Sequence, residues 1–233
     1  MRVLGLVPAR GGSKGIARKN IRLLAGKPLV AYTAKSALAS LRLARVVLTT
    51  EDREIAEIGQ CCGLEVPFLR PSDLASDETP MIAVVRHALG ALRDSGDEFD
   101  AVCLLQPTNP FRRPEDIDGA IELLETTGAD SVISFVDAGE KHPARMKFIT
   151  AEGRVIDPPF AEAFEGQRRQ ELPKIYLREG SIYVTRTAVL LEGGSFKGRD
   201  CRGWIVPEER ACNIDTPFDL FIAEQILSGV GVT

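Results

Sequence analysis

The segment Val7-Pro8-Ala9-Arg10-Gly11-Gly12-Ser13-Lys14-Gly15-Ile16-Ala17-Arg18-Lys19-Asn20 sets three glycines and four cations directly after an apolar run. Glycines let backbone N–H groups approach anionic oxygens with no Cβ in the way, and Arg and Lys add charge that a neutral loop lacks. A loop of this composition can close around a polyphosphate. Charge is segregated along the chain: residues 1–50 hold ten Lys/Arg and no Asp/Glu, although the whole chain carries a net charge of −4. Two common phosphate loops do not fit. The Gly11 to Gly15 region supplies no G-x-x-x-x-G-K-S/T, and it fails the first spacing of G-x-G-x-x-G. Neither an ATPase of the first kind nor a dehydrogenase of the second is favoured.

The elements that must hold this loop follow from periodicity. Apolar runs of strand length alternate with helical patterns: 2–7 then 28–41, 45–50 then 52–62, 65–69 then 79–93, 101–106 then 114–126, and 131–135. That rhythm predicts an α/β fold with a mostly parallel, Rossmann-like sheet. Val46-Val47-Leu48 and Ala101-Val102-Cys103-Leu104-Leu105 are continuously apolar, as strands covered by helices on both faces should be. Thr216-Pro217 reads as an N-cap and first turn opening a last helix over 218–227. Between 137 and 180 the rhythm gives way to a Pro-rich, charge-rich stretch with spaced apolar residues, among them Met146, Phe148, Ile149, Phe160 and Phe164. A disordered tether would not need those, so the chain reads as one domain, 1–233, with an insertion over about 137–180. It returns to the sheet at 181–184, with a further short strand at 203–206.

Composition narrows the setting. A chain of 233 residues with 44% hydrophobic content fills a core. The opening apolar stretch is too short for a signal peptide, and no window approaches the ~20 residues that span a bilayer, so no membrane partner is expected. Five cysteines show no metal-ligand spacing and cannot all pair, which suits a reduced, cytoplasmic location. The pI near 5.4 argues against a nucleic-acid partner.

Over nearly its full length the sequence resembles the acylneuraminate cytidylyltransferase family. The stretches that carry the resemblance are Ala9-Arg10-Gly11-Gly12-Ser13-Lys14-Gly15 with Lys19-Asn20, Arg70-Pro71 with Leu74-Ala75-Ser76-Asp77, Leu105-Gln106-Pro107-Thr108-Asn109-Pro110, Arg169-Gln170 with Leu172-Pro173, and Ile214-Asp215-Thr216. The resemblance implies the fold of the nucleotide-diphospho-sugar transferase type, a homodimer in which the insertion reaches the partner, and transfer of CMP from CTP to a 2-keto-3-deoxy sugar acid with release of pyrophosphate. In such a reaction an anomeric hydroxyl attacks the α-phosphorus in line, so the protein must bring two anions together and neutralise the leaving group.

By the same resemblance Arg10 and Lys14 contact the triphosphate, with Ala9, Gly11, Gly12 and Ser13 completing the cradle. Asn20 contacts the nucleotide, a helix-cap role being the alternative. Arg70 and the stretch ending at Asp77 surround cytosine, unless Arg70 is a surface ion-pair partner. Gln106, Thr108 and Asn109 touch the sugar. Arg145, Arg169 and Gln170 serve the sugar acid of the neighbouring subunit, and Asp215 with Asn213 holds Mg²⁺, or Mn²⁺ in its place.

Four positions depart from the family. Relatives read Asp-Ile-Asp-Thr where this chain has Asn213-Ile214-Asp215-Thr216, which predicts weaker metal binding. Asn109 stands where relatives commonly have serine. Leu177 and Glu179 replace an arginine and an asparagine, and a carboxylate beside an anionic sugar would repel it; either Glu179 points away or the sugar differs. Two other readings remain open: an enzyme of this fold using another nucleotide or a sugar phosphate, and a nucleotide-binding homologue that has lost catalysis. His87 and His142 are read as structural, Trp204 as core or interface.

Overall fold

The computed structural model describes residues 1–229, apart from the side chain of Arg169. In chain order its elements are β1 (Val3–Pro8), a small hairpin of β2 (Leu23–Leu24) and β3 (Lys27–Pro28), α1 (Leu29–Leu38), β4 (Leu43–Thr49), α2 (Arg53–Cys61), α3 (Met81–Asp94), β5 (Ala101–Leu104), α4 (Pro114–Thr127) and β6 (Ser131–Asp137). A second small hairpin follows, β7 (Phe148–Ile149) with β8 (Val155–Ile156), then β9 (Tyr176–Arg186), β10 (Cys201–Ile205) and α5 (Pro217–Ser228). The main sheet has the order β10-β6-β9-β5-β1-β4.

Strand β1 lies parallel to both β4 and β5, and β10 parallel to β6, while β9 runs antiparallel to β5 and β6. The mostly parallel α/β sheet read from the sequence is therefore present. The antiparallel strand has a simple origin. The chain leaves the sheet after Asp137 and returns at Tyr176, which pairs with it; an excursion that ends where it began needs no crossover helix.

Alternation along β1 divides the core. Val3 and Val7 face a cluster with Val30, Ile55, Ile117 and Leu124 from α1, α2 and α4, whereas Leu4 and Leu6 face Val85, Leu89 and Leu92 of α3. Full burial of each such side chain contributes about 1.5–3 kcal/mol, which fixes the strand ends that carry the loops. Helix starts match their caps. Asp52 accepts from the Ile55 N–H at 3.0 Å, and Thr216 with Asp219 forms a capping box ahead of Pro217.

The strand expected at 65–69 is reduced to one bridge, Glu65 beside Val47. Pro67 has no N–H to continue the ladder. Strand β9 extends beyond the expected 181–184 and carries a wide bulge: the register passes from Ile133 opposite Tyr183 to Phe135 opposite Arg178. Residues 179–182 thus stand opposite Ser134, whose Oγ accepts from the Ile182 N–H at 2.9 Å. The segment 138–175 bears Phe148, Ile149, Val155, Phe160 and Phe164, all exposed. All five cysteines are unpaired thiols. Among the described residues no helix is long and apolar enough to cross a membrane.

Candidate active site

Loops leaving the carboxyl ends of β1 and β5 converge with the stretch that runs from Arg70 into α3, as open α/β sheets arrange their ligand crevices. With the segment before α5 they wall a cleft of about 520 Å³. Of the four cations in the first loop, Arg10, Lys14 and Lys19 line it. Arg18 turns away, paired with Asp52 and Glu54, in left-handed backbone at φ 55°. A Cβ on Gly11 would lie 2.5 Å from the Asp52 carboxylate, so glycine there makes room for that pair.

Arg10 and Lys14 share one anion. Arg10 Nη2 donates to Asp77 Oδ1 at 2.5 Å, Lys14 Nζ lies 2.8 Å from Asp77 Oδ2, and Arg10 Nη1 donates to the Ser76 carbonyl at 2.8 Å. The Lys14 ammonium, with Arg10 behind it, holds the Asp77 carboxyl below the usual carboxylate range. Two cations sharing two oxygens of one group is the arrangement a phosphate would also meet. Asp77 thus pairs with Arg10 and Lys14, where the sequence suggested a place near the base.

The backbone of the cradle differs from expectation. The Ala9 N–H donates to the Thr49 carbonyl at 3.1 Å and the Gly11 N–H to Glu51 Oε1 at 2.7 Å, so both are directed into the fold. Ser13 and Gly15 line the cleft; Ala9, Gly11 and Gly12 do not. Asn20 is buried in the wall and donates to the Arg10 carbonyl at 2.9 Å, which holds the loop closed. It caps no helix through its side chain.

Arg70 is also in the wall and only 4% exposed, which removes the surface ion-pair reading. Its Nη2 donates to Glu51 Oε2 at 2.8 Å, while its buried Nε has no partner. Glu51, missed in the sequence, therefore ties Arg70 to the glycine loop.

Across the cleft, Lys19 Nζ donates to Asp215 Oδ1 at 2.7 Å and to the Ile214 carbonyl at 3.0 Å, and Asn213 Nδ2 donates to Asp215 Oδ2 at 2.5 Å. The cap of α5 is made by Thr216 and Asp219, which leaves the Asp215 carboxylate to the cleft. The Ile214 N–H donates to the Thr108 carbonyl at 2.8 Å, and a Cβ on Gly15 would lie 2.1 Å from the Asp215 carbonyl oxygen. Three loops are thus packed backbone against backbone at this point.

No three His, Cys, Asp or Glu side chains form a metal cluster among the described residues. Asp215, with Asn213 beside it, suits a hard cation that takes the place of Lys19 and the Asn213 amide N–H on the carboxylate and draws its remaining ligands from phosphate oxygens and water.

Gln106 and Thr108 line the cleft, but Asn109 does not. At 1% exposed, it uses its amide on Glu179 and its carbonyl oxygen on the Thr108 hydroxyl, so the sugar contact expected there is replaced by an internal role. Glu179 points inward as well. Arg145 donates to the Gln167 carbonyl on the insertion, and neither it nor the exposed Gln170 reaches the cleft of its own chain; the Arg169 side chain lies outside the described residues.

A second cleft of about 610 Å³ adjoins the first, sharing Gln106 and Met81. Arg178 and Lys197 give it positive charge, and Phe135, Tyr183 and Phe196 give it apolar walls. Motif reading assigned none of these residues to a site: Arg178 and Tyr183 come from β9, Phe135 from β6, and Phe196 and Lys197 from the connection ahead of β10.

Comparison with known proteins agrees with this geometry. A cytidylyltransferase family model matches residues 4–151. The chain is 36% identical over 228 residues to CMP-N,N'-diacetyllegionaminic acid synthase of Legionella pneumophila, covering 97% of each. It is 32% identical over 224 residues to pseudaminic acid cytidylyltransferase of Campylobacter jejuni subsp. jejuni, covering 96% of this chain and 95% of the other. A solved CMP:2-keto-3-deoxy-manno-octonic acid synthetase complexed with CTP shares the fold, with a TM-score of 0.74 at 18% identity over 98% of this chain and 99% of that one. Cytidylyltransferases of this kind generally use a divalent metal. On the family match, on identity across nearly the whole length and on the fold, the chain belongs to the cytidylyltransferase family.

Proposed function

We propose that this protein transfers the cytidylyl group of CTP to the anomeric hydroxyl of a nine-carbon 2-keto-3-deoxy sugar acid of the legionaminate, pseudaminate or sialate class, releasing pyrophosphate. The observation that carries the reading is the Asp77 carboxylate shared by Arg10 and Lys14 beside Lys19 and Asp215, within one cleft. Incoming phosphate oxygens take the place of that carboxylate on Arg10 and Lys14, and Ser13 closes the near side. Both cations then face the charge that grows on the leaving pyrophosphate, the term that contributes most in phosphoryl transfer. Arg70, stiffened by Glu51, brings a buried guanidinium with one unmet N–H to the base. Such a donor favours a pyrimidine carbonyl over open solvent.

The sugar acid occupies the adjoining cleft, with Gln106 and Thr108 at the junction and Arg178 and Lys197 opposite its carboxylate. Asp215 with Asn213 would hold Mg²⁺, or Mn²⁺ in its place, and the ion would supply charge neutralisation at the transferred phosphoryl group. The exposed apolar residues of the insertion are covered by a second copy, so that Arg145, Arg169 and Gln170 serve the partner's cleft. The working location is the cytoplasm, where CTP is made.

The test is pyrophosphate release across the four nucleoside triphosphates, each with a panel of legionaminic, pseudaminic, N-acylneuraminic and 2-keto-3-deoxy-manno-octonic acids. Turnover is expected with CTP and a nine-carbon acid. Absence of release with CTP and every acid, at all Mg²⁺ and Mn²⁺ concentrations, overturns the reading.

A further inference from the structure

We propose that Asn109 and Glu179 form a positioning pair that holds the sugar-facing loop in place, the two residues acting on the substrate only through Gln106 and Thr108. The inference rests on the reading above for the identity of the substrate. The pair itself is seen in the contacts. Asn109 Nδ2 donates to the Glu179 carbonyl at 3.1 Å and to Glu179 Oε2 at 3.2 Å. The other carboxylate oxygen, Oε1, accepts from the Ser181 N–H at 3.0 Å and from the Ser181 hydroxyl. Glu179 is thereby fastened inside the β9 bulge and Asn109 at the end of the β5 loop.

The connection runs on to the reacting groups. The Thr108 hydroxyl donates to Asn109 Oδ1 at 3.2 Å, and the Thr108 carbonyl accepts from Ile214 beside Asp215. On the inner side Arg112, 6% exposed, donates to the Ser181 carbonyl and to the Gln106 carbonyl, each at 2.7 Å, and to the Thr33 hydroxyl at 3.3 Å. Among the described residues no acid pairs directly with this guanidinium, and burial lowers its pKa to about 10, while Cys103, Glu179 and Asp116 oppose that fall. Glu179 therefore performs two tasks at once: it accepts from the loop, and it supplies negative charge near a buried cation. A buried cation left without either is costly. The carboxylate that would repel a sugar acid is held away from it by these bonds, and the amide expected to touch the sugar is what holds it.

Exchange of the two chemistries tests the idea. Asn109→Asp sets two carboxylates face to face, Glu179→Gln keeps one oxygen for Ser181 only by turning its NH2 against the Asn109 amide, and the double variant restores one amide against one carboxylate. With the most active acid of the panel, each single variant is expected to raise the sugar-acid KM about tenfold, the scale of one lost charge-assisted hydrogen bond, with the CTP KM within about twofold of the parent. The double variant should recover most of the sugar-acid KM. Unchanged sugar-acid KM in both singles, or equal losses for both substrates with no recovery in the double, overturns the pair. If the parent turns over no acid, the functional reading alone fails, and the pair is judged by hydrogen exchange. In Glu179→Ala the Ser181 amide is then expected to exchange about tenfold faster, and an unchanged rate refutes it.

Discussion

Gly15→Ala is the sharpest perturbation the cleft offers. A Cβ at residue 15 would stand 2.1 Å from the Asp215 carbonyl oxygen, whereas ordinary contact begins at 3.4 Å, so the two backbones must separate by about 1.3 Å. Asp215 is the stiffer side. Its neighbour Ile214 bonds Thr108 at 2.8 Å, and its own N–H donates to Asp219 in the α5 cap at 3.0 Å. The exposed glycine loop therefore yields, and Lys14 moves with it. A displacement of about 1 Å at a positioning group can cost on the order of 10²-fold in rate. Overpacking costs about 1–3 kcal/mol, and an exposed loop that relaxes should take the low end, a fall in Tm of about 2–4 °C for a chain of this size. Initial rates of pyrophosphate release over a CTP series, with a melting curve on the same samples, separate the two effects. The expected result is a fall in kcat/KM for CTP of about 100-fold with the fold intact. Gly12→Ala is the control for stability, because nothing lies within 4 Å of its would-be Cβ, and its Tm should not change. A Gly15→Ala enzyme within about threefold of the parent kcat/KM would show that contact with Asp215 does not set the loop, and the reasoning would fail.

Other perturbations read separate parts of the site. Asp77→Asn removes the carboxylate that Arg10 and Lys14 share, so the CTP KM is expected to fall several-fold in steady-state assays; a rise would refute competition between Asp77 and phosphate. Asn213→Asp returns a carboxylate beside Asp215 and should tighten Mn²⁺ binding about tenfold by titration calorimetry, with an unchanged isotherm counting against a metal role for this pair. Arg210→Ala strips the partner from Asp116, which is 4% exposed, and should cost about 3–5 kcal/mol in urea unfolding, whereas a cost below about 1 kcal/mol would refute the buried pair. The hydrogen bond from Arg18 holds Asp52 below its ordinary range. Its stabilisation is therefore full above the unfolded pKa of ~3.9 and lost as pH falls through the lower folded value. The stability gap between parent and Arg18→Ala should close only in that acid window, and a gap independent of pH would contradict the pairing.

Local signals were legible in the sequence, and contacts across the sheet were not. The basic glycine loop, the 45–50 and 101–106 strands and the Thr216-Pro217 cap are set by neighbours in the chain, and they stand where periodicity and capping rules put them. Pro67 defeated the 65–69 strand because an apolar run does not reveal a missing donor. Lys19 was visible as a cation, but its partner Asp215 is 196 residues away. Glu51 likewise meets Gly11 and Arg70 across 40 and 19 residues. Asn109 read as a sugar contact because an amide in a turn at the end of a strand suits a sugar as well as it suits a neighbouring carboxylate, and the bulge in β9 is what brings Glu179 to it. Strict alternation would set Arg178 and Tyr183 on opposite faces, and the bulge brings both to one cleft, while Lys197 comes from the connection ahead of β10, outside any strand pattern.

The charge segregation has a physical sense that depends on both kinds of information. Every cation of the first loop meets a carboxylate from beyond residue 50: Arg10 and Lys14 meet Asp77, Arg18 meets Asp52 and Glu54, and Lys19 meets Asp215. These pairs are of two kinds. Arg18 with Asp52 is partly buried, is joined to a helix cap, and has the missing Cβ of Gly11 to make room for it, so it belongs to the framework. Asp77 follows a short helical turn at Ser72–Ala75, and the Lys14 side chain it holds is 82% exposed, so solvent screens the contact. An exposed ion pair is held weakly. A triphosphate carries several charges where Asp77 carries one, and it can displace the carboxylate without disturbing Arg18. Had the loop's acids been local in sequence, the same helix or turn would have held all four cations alike. Drawing them from three distant segments lets one cation stay fixed while two remain exchangeable, which is what a site that must bind and then release pyrophosphate requires.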